Sequence, residues 1–183
     1  MALSPTRLEF RVRLSNVDRG VELDEPVIVA RHPSETQTHV ILRVLARCLL
    51  HREGLEFGPG LSTPDAADLL ARGPTGELTT WVECGTATAE RLRKILQHNR
   101  VELHVVLDDD ARAEVLAGEL RALGLPRGAR PVTLWAVDAA LVRALAEHED
   151  RRQRWAVTVV GDCFYIDADS HSFNGPVTRR ELV

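Results

Sequence analysis

Between residues 78 and 148, strand-type apolar runs alternate with helix-spaced stripes, and this alternation constrains the fold more than any other feature of the chain. Residues 78–84 read as a strand stopped by Gly85, and Leu92, Ile95 and Leu96 then mark the buried stripe of a helix over residues 88–98. The pattern repeats: a strand at 101–107, a helix through Val115, Leu116 and Leu120, a strand at 132–137 and a helix at 139–148. Strands separated by single helices are joined by crossovers, which favours parallel neighbours and right-handed connections. The expected product is α/β: a mixed sheet with helices on both faces, in three α/β/α layers.

Upstream, Leu8, Phe10, Val12 and Leu14 alternate with Glu9, Arg11 and Arg13, the signature of a half-buried strand. Residues 16–20 supply a turn, and residues 21–30 the returning strand of an N-terminal β-hairpin. Pro26 would interrupt a central ladder, so that strand belongs at an edge or carries a bulge. Ser34-Glu35-Thr36-Gln37 fits a capping box, and Val40, Ile41, Val44, Leu45, Cys48 and Leu49 follow at helical spacing. Residues 64–70 read as a short helical turn and residues 155–166 as a closing hairpin around Gly161-Asp162. Residues 172–183 read as a loose tail, and no repeat or linker divides residues 1–183, which are expected to form a single domain.

Composition removes several classes of function. At 183 residues, 44% apolar and 27% charged, the chain is globular rather than disordered. Aromatics at 4% argue against a base-stacking platform. No apolar stretch approaches the roughly 18 residues that span a membrane, and residues 1–7 lack a signal-peptide pattern, so a cytoplasmic address is expected. Cys48, Cys84 and Cys163 lie far apart and form no CxxC pair, which fits reduced thiols. The net charge of −4 gives no broad basic footprint for nucleic acid.

Three residues with chemical potential fall in one region. Asp65 follows Pro64 ahead of the 78–84 strand, Glu83 sits near that strand's end, and Lys94, the chain's single lysine among 23 basic residues, lies on the next helix. Two acids and a lysine are the working parts of metal-dependent phosphodiester cleavage: carboxylates hold Mg²⁺, the ion activates water, and an ammonium stabilises developing charge. In the usual Pro-Asp, gap, Asp/Glu-x-Lys spacing, Glu83-Cys84-Gly85 leaves glycine in the lysine's place. Gly85 leaves space there that a lysine stem from the adjoining helix would fill. Cys84 would contribute only its backbone carbonyl to a metal.

The chain resembles the YaeQ family of small bacterial proteins over nearly its whole length. The resemblance rests on Ala30-Arg31-His32-Pro33-Ser34-Glu35-Thr36, Leu42-Arg43-Val44-Leu45-Ala46, Trp81-Val82-Glu83-Cys84-Gly85 and Arg91-Leu92-Arg93-Lys94. It implies a variant of the PD-(D/E)xK restriction-endonuclease-like fold whose motif lysine has moved to the helix. It also implies Asp65, Glu83 and Lys94 as nuclease-type residues, with Glu35 as an additional acid.

Each assignment has a structural rival. Asp65 after Pro64 is a good N-cap, and Asp68 takes its place in the site if the loop is shifted by a turn. Glu35 is explained by capping, Lys94 by a solvated basic face, and Asp108-Asp109-Asp110 by the N-terminus of a helix. Two functions are compatible with these residues: a Mg²⁺-dependent, nuclease-like phosphodiesterase acting on nucleic acid or another phosphodiester, or a non-catalytic binding or regulatory protein that keeps the fold.

Overall fold

A computed structural model describes residues 4–59 and 66–182. The N-terminal hairpin pairs β1 (Thr6–Asn16) with β2 (Val21–Arg31) in antiparallel register, Phe10 opposite Val27 and Leu14 opposite Leu23. Helix α1 (Gln37–Leu49) comes next, then β3 (Glu56–Phe57), β4 (Leu69–Arg72) and β5 (Leu78–Cys84). The alternating part runs α2 (Ala89–His98), β6 (Glu102–Leu107), α3 (Asp110–Leu123), β7 (Val132–Val137) and α4 (Ala139–Ala146). Strands β8 (Arg152–Val160), β9 (Cys163–Ala168) and β10 (His171–Leu182) complete the chain.

All ten described strands belong to one sheet, in the order β2-β1-β8-β9-β10-β7-β6-β5-β4-β3. Strands β5, β6 and β7 are parallel neighbours, as the alternation requires, and Pro26 sits on the edge strand β2, where a proline is tolerated. Strand β10 joins the two halves of the sheet. Its first half, through Pro176, pairs with β9, and its second half, from Val177, pairs with β7. At the switch, Gly175 lets α4 approach closely, because a Cβ there would stand 2.9 Å from Leu141 Cβ.

The sheet curls around α1. Ten residues of that helix are buried, Val40, Ile41, Leu42, Val44, Leu45, Ala46, Cys48 and Leu49 among them, and such all-round burial requires walls on several sides. One core cluster therefore joins Phe10 and Trp155, stacked edge-on at 5.0 Å, to Leu69, Val82, Cys84, Val106 and Val142 on the opposite side of α1. A second cluster lies beneath α2 and α3, on the other face of β5, β6 and β7. Helices thus cover both faces only in that part of the sheet. The outer face of β1 and β8, with Arg11, Arg13, Arg152 and Arg154 exposed, carries no helix in the described structure. The architecture is a mixed α/β domain with a large, nearly closed sheet.

Three local expectations are corrected. The N-cap of α1 is Thr36, whose hydroxyl accepts from the His39 N–H at 3.2 Å, so Ser34 does not cap and Glu35 precedes the helix. Leu69 and Leu70 belong to β4 rather than to a helical turn, because pairing with Val82 and Trp81 outweighs their helix propensity. Residues 171–182 form a strand held by two neighbours rather than a loose tail. The capping expected of the acidic triplet holds: Asp109 accepts from the Arg112 N–H at 3.1 Å. No described helix is long and apolar enough to cross a membrane.

Candidate functional site

The register of β4 against β5 builds the first part of the site. With Leu69 opposite Val82, the Asp68 N–H donates to the Val82 carbonyl at 3.0 Å, which fixes Asp68 beside the end of β5. Its Oδ2 then accepts the Cys84 N–H at 2.7 Å. Glu83, next in the strand, has its carboxylate on the α2 side, where Trp81 Nε1 donates to Oε1 at 2.7 Å and Arg91 Nη2 to the same oxygen at 3.0 Å. Trp81 and Glu83 do share a face, as their spacing requires.

Helix α1 supplies the second part. Its first turn carries His39 and its second Arg43, and both reach Glu35 just ahead of the helix. Glu35 Oε1 lies 2.7 Å from His39 Nδ1 and accepts from Arg43 Nη1 at 3.1 Å, while Oε2 accepts the His32 N–H at 3.1 Å. Only 2% of Glu35 and 1% of Arg43 is exposed, so each charge depends on the other for compensation. On its far side, His39 Nε2 stands 3.2 Å from the Cys84 carbonyl oxygen and 3.5 Å from Asp68 Oδ1. Arg43 Nε faces the same carboxylate at 3.7 Å without a hydrogen-bond partner among the described residues, and its guanidinium lies over the Phe57 ring.

Three carboxylates therefore meet three cations, and His39, Glu35 and Glu83 respond to these neighbours. Burial works against a charged His39, but the bonds to Asp68 and Glu35 outweigh it and raise the imidazole to about 9. Burial would likewise raise the Glu35 carboxyl, and the His39 bond with the Arg43 charge brings it below its usual value. Glu83 goes the other way: burial raises it, Arg91 and Trp81 only partly offset that, and Asp68 adds repulsion. The buried Cys84 thiol is pushed well up and is no nucleophile.

Gly85 ends β5 at φ +76°, a left-handed conformation natural to glycine. A Cβ there would lie 3.4 Å from His39 Cδ2, so the space beside Gly85 is filled by His39 from α1. Lys94 is exposed on α2 and makes no hydrogen bond or ion pair with the described residues. Asp65 lies outside the described residues. Among the expected residues, Glu35, Glu83 and the Cys84 backbone meet at one end of the sheet, together with Asp68. His39, Arg43 and Arg91 are additions. A signal for two of them is present in the sequence: Glu35, His39 and Arg43 recur every four residues, and Arg43 interrupts an otherwise apolar helix, where a charge requires a buried partner.

No three His, Cys, Asp or Glu side chains among the described residues converge as a metal-binding group. A backbone carbonyl and one carboxylate do converge: Cys84 O and Asp68 Oδ1 both face the point held by His39 Nε2. Oxygen donors of this kind fit a hard divalent cation, with the Glu83 carboxylate close enough for Asp68 to perturb it.

Solved structures share this architecture. A crystal structure of YaeQ protein from Xanthomonas axonopodis pv. citri superposes with a TM-score of 0.85 at 28% identity, covering 97% of this chain and 98% of that one. The YaeQ protein from Pseudomonas syringae does so with a TM-score of 0.84 at 25% identity, over 98% and 96%. An uncharacterised YaeQ protein from Salmonella typhi is 29% identical over 167 residues, 91% of this chain and 90% of its own length. The Escherichia coli K12 relative, also uncharacterised, is 35% identical over 94 residues, 51% of this chain and 52% of its own. The family profile described as YaeQ protein matches residues 1–176, and the chain is a member of that family.

Proposed function

We propose that the protein hydrolyses phosphodiesters at a cation-assisted, restriction-endonuclease-like site made by Asp68, Glu83 and the Cys84 carbonyl. The observation that carries this reading is the pairing of the β4 start with the β5 end. It sets one carboxylate against the Cys84 backbone and a second one residue earlier on the same strand. Support comes also from position. The site lies at the carboxyl end of β5, one of the parallel strands, where α/β sheets open towards ligands.

In this reading Asp68 performs the work expected of Asp65. Asp68, Glu83 and the Cys84 carbonyl would hold Mg²⁺ or a similar ion, which supplies charge neutralisation and a more acidic bound water. Arg91, bound to both oxygens of Glu83, orients that carboxylate. Buried Glu35 and Arg43 hold His39 against the strand end.

The rival reading is a non-catalytic binding protein, and one observation favours it: each of the three carboxylates already faces a protein cation. The two separate in one assay. Single- and double-stranded DNA, RNA and a chromogenic diester are incubated with the chain and Mg²⁺ or Mn²⁺. Hydrolysis that falls about 100-fold or more in Asp68→Asn and Glu83→Gln supports the enzyme. No hydrolysis of any diester, or hydrolysis unchanged in both variants, contradicts it.

A further inference from the structure

The geometry points to a mixed nitrogen–oxygen metal centre in which His39 Nε2 joins the proposed oxygen ligands beside Asp68 Oδ1 and the Cys84 carbonyl oxygen, and Glu35 orients the imidazole. This deepens the proposed function by changing which cation the site selects, and it rests on that reading only for the use of the ion.

Interatomic distances carry the assignment. Two ligand atoms each about 2.1 Å from one ion, at an angle near tetrahedral or octahedral, stand about 3.0–3.4 Å apart. The separations from His39 Nε2 are 3.2 Å to Cys84 O and 3.5 Å to Asp68 Oδ1. The ligand atoms thus have nearly the spacing that an ion would impose. A cation entering there replaces the Nε2 proton.

The other side of the ring has the complementary form. His39 Nδ1 faces Glu35 Oε1 at 2.7 Å, the carboxylate–histidine–metal relay that fixes the tautomer and aims the free nitrogen at the ion. Glu35 is itself held by Arg43 Nη1 and the His32 N–H, so the ring has a rigid support. The imidazole packs beside Gly85, where a Cβ would come into contact with its Cδ2 at 3.4 Å. The side chains of His39 and Asp68 keep 18% and 12% of their surface exposed, which leaves one side open for water or a phosphate oxygen. An imidazole ligand favours Mn²⁺, Co²⁺ or Zn²⁺ over Mg²⁺, which prefers oxygen and water alone.

The test reads binding, not activity. The full chain is titrated calorimetrically with Mg²⁺, Mn²⁺ and Zn²⁺, and with Co²⁺ while its visible d–d absorption is followed. One equivalent of Co²⁺ is expected to give a band, with Mn²⁺, Co²⁺ and Zn²⁺ binding at least ~100-fold more tightly than Mg²⁺. His39→Asn keeps an amide nitrogen near Glu35 but lacks Nε2. It should bind Co²⁺ at least ~10-fold more weakly and lose the band, with a circular dichroism melt confirming the fold. His39→Ala provides a second variant if Asn perturbs folding. Equal affinity for Mg²⁺ and Co²⁺, unchanged in both variants, overturns the nitrogen ligand while leaving the proposed oxygen site intact. Absence of any bound cation overturns both.

Discussion

Glu35 and His39 are joined across the start of α1 by 2.7 Å between Oε1 and Nδ1, and this contact links a buried acid to an open site. Because Glu35 is shared with Arg43, the imidazole is held by a side chain that itself has no freedom to move. Stability, pH response and metal binding should all depend on this linked set of side chains.

Arg43 is the member whose removal should cost most. Arg43→Met keeps much of the apolar stem but leaves the Glu35 carboxylate buried with less compensation, and about 3–5 kcal/mol of stability should be lost. Glu35→Gln combined with Arg43→Met should recover part of it. Urea unfolding of the three proteins measures both, and a loss below about 1 kcal/mol in the single variant would contradict the pairing.

The metal-free protein should lose stability at alkaline pH through His39. Its imidazole is near the ordinary value of about 6.5 when unfolded and at about 9 when folded. A raised folded value means that the contribution is fully present below pH 6.5 and fades as pH rises through 9. The gain is on the order of 3 kcal/mol. Thermal melts of wild type and His39→Gln between pH 6 and 10 should converge at the alkaline end, and parallel curves would refute this origin.

His104 acts in the opposite sense. Burial, with Arg52 adding repulsion, lowers it to about 4, and its Nε2 has no partner among the described residues, while Nδ1 accepts from Trp135 Nε1 at 3.3 Å. The unfolded chain therefore takes up a proton that the folded chain refuses, so stability should decline as pH falls from about 6.5 towards 4. His104→Gln should flatten that decline, which acid titration of the unfolding midpoint records.

Gly85 carries both a conformational and a spatial demand. Gly85→Ala places a Cβ at φ +76° and 3.4 Å from His39 Cδ2, and should cost about 1–2 kcal/mol. A cost near zero in denaturant unfolding would mean that His39 does not press on this glycine.

How much of this fold the sequence discloses depends on how local each cause is. The parallel β5-β6-β7 unit is legible because each strand and helix carries its own period, and Pro26 marks an edge by its missing N–H. Strand β10 is not legible: Ser172, Asn174, Thr178 and Arg179 are exposed, and its identity comes from two partners distant in sequence. Strand β4 is obscured because an alanine- and leucine-rich segment has helix propensity that pairing with β5 overrides. In the site, Glu83 is legible from the strand end and from Trp81 two residues before it. His39 shows only as the middle of three residues spaced by four, and its contact with the strand end arises only when α1 is laid against Gly85.

If the ends of β4 and β5 form a cation site with His39, a crystal soaked in Mn²⁺ will show it. One anomalous peak is expected about 2.1–2.3 Å from Asp68 Oδ1, the Cys84 carbonyl oxygen and His39 Nε2. A crystal soaked at millimolar Mn²⁺ with no peak there, and with His39 Nε2 still within hydrogen-bond distance of the Cys84 carbonyl, would contradict the site.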